Sequence, residues 1–211
     1  MLSLSTISLF SIAAIILALT PGPDMLYIAT RSITQGRGAG IFSALGVHTG
    51  VLIHTIAAAF GISALIAESA VAFNIVRYAG AAYLVYLGIR TILNKAASLE
   101  IKVIEHKKLR SVYYQGLITN LFNPKVILFF LAFLPQFADP SKGSIPIQMV
   151  TLGCLMIVVT LPIDIAVGLL GGSMGKFLKT STRMQRISKW FTGSVFISLG
   201  ISTALFVDRR A

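Results

Sequence analysis

Long apolar stretches alternate with shorter polar ones along the whole chain. Six such stretches can be drawn, each near the length of about 20 residues that a helix needs to cross a bilayer. Their apolar residues run continuously rather than in alternation, as in membrane helices and unlike barrel strands. The pattern predicts an all-α polytopic membrane protein of six transmembrane helices, at Leu4–Thr30, Gly40–Ala67, Ala70–Leu93, Tyr113–Phe137, Ile145–Leu170 and Trp190–Val207.

Composition and charge support this class and predict an orientation. Of 211 residues, 55% are hydrophobic and 12% are charged, which is too apolar for a soluble domain of this size. The net charge of +11 does not indicate a nucleic-acid face, because most Lys and Arg residues fall in three loops. Such clustering is typical of cytoplasmic loops, so both termini are predicted to be periplasmic. The basic groups are Arg31 and Arg37; Arg90, Lys95, Lys102, Lys107, Lys108 and Arg110; and Lys176, Lys179, Arg183, Arg186 and Lys189.

The chain divides into two similar halves. Residues 1–211 are read as one transporter domain, with a first half of about 1–93, a polar cytoplasmic loop of about 94–112 and a second half of about 113–211. Three segments per half is an odd number, so related halves must be inverted in the membrane, a common plan in transporters. The first segment lacks a positively charged start, so we expect it to be a retained helix rather than a cleaved signal peptide.

Each half opens with a segment that proline interrupts. The first contains Thr20-Pro21-Gly22-Pro23-Asp24, and the second contains Asn120-Leu121-Phe122-Asn123-Pro124-Lys125. Proline removes a backbone donor and ends or kinks a helix, so helices 1 and 4 are predicted to be broken. Thr20-Pro21 and Asn123-Pro124 each read as an N-cap followed by proline at the first helical position. Half-helix N-termini inside the membrane suit an anionic group, although simple proline kinks are the alternative.

Three ionisable residues lie inside the predicted spans. A charge at the bilayer centre costs at least about 2.5 kcal/mol, so Asp24, Lys125 and Asp164 are expected to face a cavity or a partner. A proton-coupled carrier needs a carboxylate that gains and loses a proton, and either Asp24 or Asp164 could serve. A direct ion pair between Asp24 and Lys125, closing two helices, is the structural alternative.

Other candidates are assigned to packing. His48 and His54 are six residues apart and off a shared helical face, so each is interpreted as a hydrogen-bonded histidine at a helix interface. Cys154 is the single cysteine, and no metal site or cofactor is predicted. Gly46 and Gly50 form a GxxxG match that predicts close helix packing.

These motifs resemble those of the LysE/RhtB family of amino-acid exporters. The similarity lies in Thr20–Pro23, in Arg31–Gly40 leading into Ala44–Gly50, and in Gly116–Lys125 with its Asn-Pro-Lys sequence. Length and the six-span pattern also match, so the resemblance covers essentially the whole chain. It implies a bacterial inner-membrane protein that expels amino acids or close derivatives by using the proton motive force. It does not select a substrate within the family.

The sequence therefore leads to one functional hypothesis. The protein is expected to be a secondary transporter, not an enzyme, that exports a small amino acid by proton antiport through the bilayer. The predicted substrate-binding residues are Pro21, Gly22, Pro23, Asp24, Asn120, Asn123, Pro124 and Lys125, with Asp24 or Asp164 for proton coupling. A cation or metal carrier of similar plan, a passive amino-acid channel and an intramembrane enzyme with paired acids are the rivals. No nucleic-acid partner is expected, and assembly into a homo-oligomer is left open.

Overall fold

The chain folds as helices joined by short connections. The computed structural model describes residues 2–62, 64, 69–93, 105–179 and 182–205. Every regular element in these ranges is helical, which confirms the predicted all-α class. The eight α-helices of this part of the chain are α1 Leu4–Leu19, α2 Pro23–Gln35, α3 Arg37–Ala57, α4 Ala70–Leu93, α5 Leu109–Leu121, α6 Pro124–Leu128, α7 Ile145–Lys179 and α8 Thr182–Leu205. A π-helical turn at Ala58–Ile62 prolongs α3, while π-helical and 3-10 turns at Phe129–Phe133 and Leu134–Phe137 prolong α6.

These helices form the predicted polytopic membrane protein. Arg37–Gly61 and Ile145–Gly171 are each long and apolar enough to cross a membrane. Two further spans are broken, as predicted: α1 and α2 meet at 52°, and α5 meets the α6 segment Pro124–Phe137 at 48°. With α4 and α8, each of 24 residues, the order in both halves is a broken helix followed by two continuous ones.

The two breaks have different local causes. At the second, Asn123 is the N-cap and its side-chain oxygen accepts a hydrogen bond from Lys125 N at 3.1 Å, as the sequence predicts. At the first, the prediction that Thr20 is an N-cap is wrong. Thr20 ends α1 and its hydroxyl donates to Ile16 O at 2.7 Å, whereas Gly22 is the N-cap of α2. The reason is the second proline, because Pro23 occupies the first helical position.

Several helices extend beyond the apolar segments that were predicted from the sequence. Arg31, predicted in a loop, lies on α2 and is only 2% exposed, and the single residue Gly36 separates α2 from α3. The predicted basic loop after segment five is mostly helix, because α7 reaches Lys179 and α8 begins at Thr182. Hydropathy marks only the part of a helix that lies in lipid. Residues 94–104 of the predicted central loop, with Lys95 and Lys102, lie outside the described residues.

The halves pack on each other through their corresponding helices. Helix α3 packs on α7, and α4 packs on α8. At the first crossing a Cβ on Gly40 would lie 2.6 Å from Gly168 O, and at the second a Cβ on Gly88 would lie 2.6 Å from Gly193 O. Without a Cβ the backbones can approach closely, as is usual for helices that associate in lipid.

Apolar side chains cover the outer surface of the bundle as well as much of its interior. Large apolar side chains such as Leu4, Phe60 and Phe122 lie on the outer surface, where lipid would cover them. The interior contains an aromatic cluster around Phe10 and Phe129 together with charged and amide side chains. Since charges are costly to bury, the buried polar groups indicate the functional region of the bundle.

Candidate functional site

A small cavity lies where the two broken helices meet. About 30 Å³ of it is open to the centres of water-sized molecules. Aliphatic side chains form much of the wall, and six polar side chains complete it. They come from five different helices: Asp24 of α2, His48 of α3, Asn120 of α5, Lys125 of α6, and Thr160 and Asp164 of α7.

Lys125 joins the second break to the first. Its side chain is buried, and Nζ donates hydrogen bonds of 3.0 Å to both Leu17 O and Thr20 O at the end of α1. The last carbonyls of a helix lack partners within the helix and carry its negative dipole end, so a buried ammonium stabilises them. An ammonium has three donors, and the two carbonyls use two of them.

Asp24 lies across the cavity from a partner in the other half of the chain. Its Oδ2 accepts a hydrogen bond of 2.8 Å from Asn120 Nδ2, while Oδ1 is buried without a hydrogen-bond partner. Asn120 Oδ1 and Asn123 Nδ2 are also buried and unpaired among the described residues. Such groups are costly unless a ligand or solvent pairs with them. The site therefore offers a carboxylate oxygen, an amide oxygen and an amide donor within one region.

The alternative of a direct ion pair does not describe this geometry. Within the described ranges, the ion pairs are His48 with Asp164 and Lys142 with Asp139, and neither includes Asp24 or Lys125. Both charges line the cavity instead of neutralising each other by contact. Each therefore remains available to a ligand of opposite charge.

Asp164 is accompanied by a histidine that sequence reasoning assigned only to packing. His48 Nδ1 lies 3.8 Å from Asp164 Oδ2 and 3.0 Å from Ala44 O, and its Nε2 lies 3.1 Å from Thr160 Oγ1. The hydrogen bonds expected of an interface histidine are present, but the ring also lines the cavity. His48 could have been found by treating every ionisable residue within a span as a functional candidate.

His54 lies at the edge of this region rather than in the cavity wall. Its Nε2 is 3.4 Å from Asn120 O, and its ring stacks on Phe130 at a centroid distance of 5.5 Å. Among the described residues no three His, Cys, Asp or Glu side chains form a metal-binding group.

The predicted site residues come together. Asp24, Asn120, Lys125 and Asp164 line the cavity, and the prolines and Asn123 form the breaks beside it. Gly50 lies next to them, since a Cβ there would be 2.5 Å from Asn120 Oδ1. Gly46 lies at the crossing of α3 and α5, where a Cβ would overlap the carbonyl oxygen of Tyr113. The glycine pair thus brings α3 close enough to α5 for Asn120 to reach the cavity.

Comparison with known proteins connects this arrangement to transport. The family model "LysE type translocator" matches residues 15–205. The chain is 28% identical over 195 residues to an uncharacterized membrane protein of Vibrio cholerae, covering 92% of this chain and 94% of the relative. It is 30% identical over 201 residues to the uncharacterized membrane protein YrhP of Bacillus subtilis, covering 91% and 95%.

A third relative has a functional name. The homoserine/homoserine lactone efflux protein of Salmonella typhimurium is 30% identical over 192 residues, covering 90% of this chain and 92% of the relative. No solved structure matches the chain significantly. Because this family model covers most of the sequence, the chain belongs to the LysE type translocator family.

Proposed function

We propose that this protein exports a small neutral amino acid or its derivative from the cytoplasm across the bacterial inner membrane, in exchange for protons. Family membership and the printed name of the Salmonella relatives support amino-acid export. The observation that carries the proposal is the cavity between the broken helices, where Asp24 and Lys125 are buried without contacting each other. Opposite charges held apart in one cavity are complementary to a zwitterion.

The two ends of the substrate would bind to different helices. Asp24 Oδ1 has no partner and would accept from the substrate ammonium group. Lys125 has one donor beyond those bonded to Leu17 O and Thr20 O, and this donor would bind the substrate carboxylate. The unpaired amide groups of Asn120 and Asn123 would supply further hydrogen bonds. A neutral amino acid matches this site because its ammonium can bind the carboxylate of Asp24 and its carboxylate can bind the ammonium of Lys125.

Transport requires the site to open. Exchange across the membrane needs access to the site from each side in turn, so the helices around the cavity must move. The breaks at Pro21–Pro23 and Asn123–Pro124 lack continuous helical hydrogen bonding and are natural hinges. In this proposal the two inverted halves rock about the site and expose it alternately to each side of the membrane.

Proton coupling would act on the same cavity. Asp24 and Asp164 are the carboxylates that line it, and both lie within reach of the field of Lys125. A proton on either carboxylate changes the net charge that the substrate meets. Binding of substrate and binding of proton would then compete, as exchange of one for the other requires.

The test uses two substrates that differ at one end. Transport of homoserine and of homoserine lactone is compared in proteoliposomes that carry a pH gradient across the membrane. The lactone keeps the amine of homoserine but has no carboxylate. Asp24→Asn should abolish transport of both, whereas Lys125→Met should abolish homoserine transport and spare the lactone. Lys142→Met, which removes a lysine charge on an exposed turn, is the matched control and should transport both.

Several outcomes would contradict the proposal. Wild-type rates in Asp24→Asn, or equal loss of both substrates in a folded Lys125→Met, would remove the assigned roles. Transport that ignores a pH gradient and does not saturate would indicate a passive channel, and transport of a metal ion instead would indicate a cation carrier. A reporter fused to the C-terminus, at Ala211, tests the predicted periplasmic termini, and a cytoplasmic signal would overturn that topology.

A further inference from the structure

The partners of His48 suit the ring with or without a second proton. Its Nδ1 lies 3.0 Å from Ala44 O, which can only accept, so the N–H group that a neutral imidazole keeps is assigned to Nδ1. Its Nε2 lies 3.1 Å from Thr160 Oγ1, which also lies 2.8 Å from Met156 O. The hydroxyl can donate to Met156 O and accept from a protonated Nε2, or it can donate to a neutral Nε2.

A counter-charge for a protonated His48 is present. Asp164 Oδ2 lies 3.8 Å from His48 Nδ1. This separation is too long for a hydrogen bond but within the range of an ion pair, so an ionised Asp164 can balance the charge of an imidazolium.

We propose that His48 holds the coupling proton, with Asp164 as its counter-ion and the Thr160 hydroxyl as the group that exchanges partners when the proton leaves. This rests on the proposed proton antiport and assigns the proton to the pair formed by His48 and Asp164 rather than to Asp24. On deprotonation the Thr160 hydroxyl turns from Met156 O to His48 Nε2, and the remaining ring proton stays on Nδ1 towards Ala44 O. Each state of the ring then has a complete set of hydrogen bonds.

The groups that face His48 explain how substrate would displace the proton. Asp24 of α2, Lys125 of α6 and Asp164 of α7 are the charged groups that line the cavity with it. Helix α5 contributes the amide of Asn120, which does not titrate, and α1 contributes the apolar Leu17 and Ala18. With the proton on His48 the four ionised groups sum to zero charge. A substrate ammonium at Asp24 neutralises that carboxylate, so the imidazolium loses part of the negative field that stabilises its charge.

The proton balance of a cycle follows. Neutral His48 takes one proton from the periplasmic side after substrate has left, and becomes an imidazolium. The halves return to face the cytoplasm, where an incoming amino acid at Asp24 drives that proton into the cytoplasm. One proton moves in for each amino acid that moves out, with no other reactant.

The first experiment measures protons released on binding. Purified protein in detergent and weak buffer, with a pH indicator dye, receives homoserine near neutral pH. The wild type should release protons in proportion to bound substrate. His48→Gln, which cannot take a proton, should bind homoserine by calorimetry but release none, and should catalyse homoserine exchange without responding to a pH gradient. Uphill transport driven by the gradient at the wild-type rate in His48→Gln would overturn the proposal.

A second pair of variants keeps the proposal testable if His48→Gln does not fold. Thr160→Ser keeps the hydroxyl and should retain the wild-type pH profile of exchange. Thr160→Val has a similar shape but no hydroxyl, so its pH profile should move by about one unit or more. An identical profile in both variants would refute the partner exchange. Failure of the wild type to exchange homoserine would instead refute amino-acid export, so the two failures can be distinguished.

Discussion

Replacing Gly22 should reveal whether the position of Lys125 determines transport. The backbone of Gly22 is extended, with φ −164° and ψ −178°, so other residues can adopt it and conformation does not demand glycine. Space does. A Cβ on residue 22 would lie 3.3 Å from Lys125 Nζ and 3.5 Å from Cε. Favourable contacts of carbon atoms begin at about 3.5 Å, so even alanine must push the ammonium aside by a few tenths of an ångström.

The size of the effect follows from the hydrogen bonds of Lys125. Its Nζ lies 3.0 Å from both Leu17 O and Thr20 O, and hydrogen bonds to a charged group contribute about 1.5–3 kcal/mol each. Gly22→Ala strains these bonds and should cost about 1 kcal/mol. Gly22→Val places two more methyl groups against the ammonium and should remove at least one bond. The loss of about 1.5–3 kcal/mol corresponds to roughly 10- to 150-fold in kcat/KM for homoserine.

The assay combines transport in proteoliposomes with thermal unfolding in detergent. Gly38→Ala is the matched control, because Gly38 is exposed on α3 and a Cβ there would meet nothing within 4 Å. That change should preserve transport and stabilise the helix by up to about 1 kcal/mol. Wild-type transport in Gly22→Val would refute the reasoning, since Lys125 could then move without consequence.

Two further predictions concern regions outside the cavity. Arg31 donates to Gln115 Oε1 at 2.7 Å and to Glu105 O at 3.2 Å. Arg31→Lys lacks the planar guanidinium fork, so it should destabilise the protein by about 1–3 kcal/mol and speed hydrogen exchange in residues 105–115. Unchanged exchange in these residues would contradict this prediction. On the exposed turn, hydrogen bonds from Ser141 and the ion pair with Lys142 at 3.1 Å lower the pKa of Asp139 to about 2. The ionised Asp139 therefore stabilises the folded protein above its ordinary pKa of 3.8, and this stabilisation is lost as pH falls towards about 2. The free energy of unfolding, measured from pH 5 to 2, should depend less on pH in Asp139→Asn than in the wild type.

The sequence was sufficient for features that depend on local chemistry. Apolar length predicts the spans, and the missing N–H of proline predicts both breaks, because these causes act within a few residues. The N-cap role of Asn123 is also local and was predicted correctly. The prediction of Thr20 as an N-cap was wrong, because Pro23 takes the first helical position of α2 and makes Gly22 its N-cap. Local rules compete when motifs overlap.

Features that depend on distant residues could not be predicted in the same way. The helix end that Lys125 stabilises is more than 100 residues away, and no spacing in the sequence encodes that contact. Arg31 follows an apolar segment and so resembles a loop residue, yet Gln115 and Glu105 O bind it in the interior. His48 was predicted to be a hydrogen-bonded histidine at a helix interface, but the sequence does not indicate that its partners Thr160 and Asp164 lie on α7. Tertiary proximity decides the role of each of these residues.

The contacts around the cavity share one property that bears on mechanism. Lys125 of the second half bonds to the end of α1 in the first half, and Asp24 of the first half bonds to Asn120 of the second. His48 and Asp164 also face each other across the boundary between the halves. A movement of one half against the other therefore cannot occur without breaking or re-forming these interactions. A substrate that engages Asp24 and Lys125, or a proton on His48, would change the energy of those same interactions, and a ligand in the cavity could thereby bias the arrangement of the two halves.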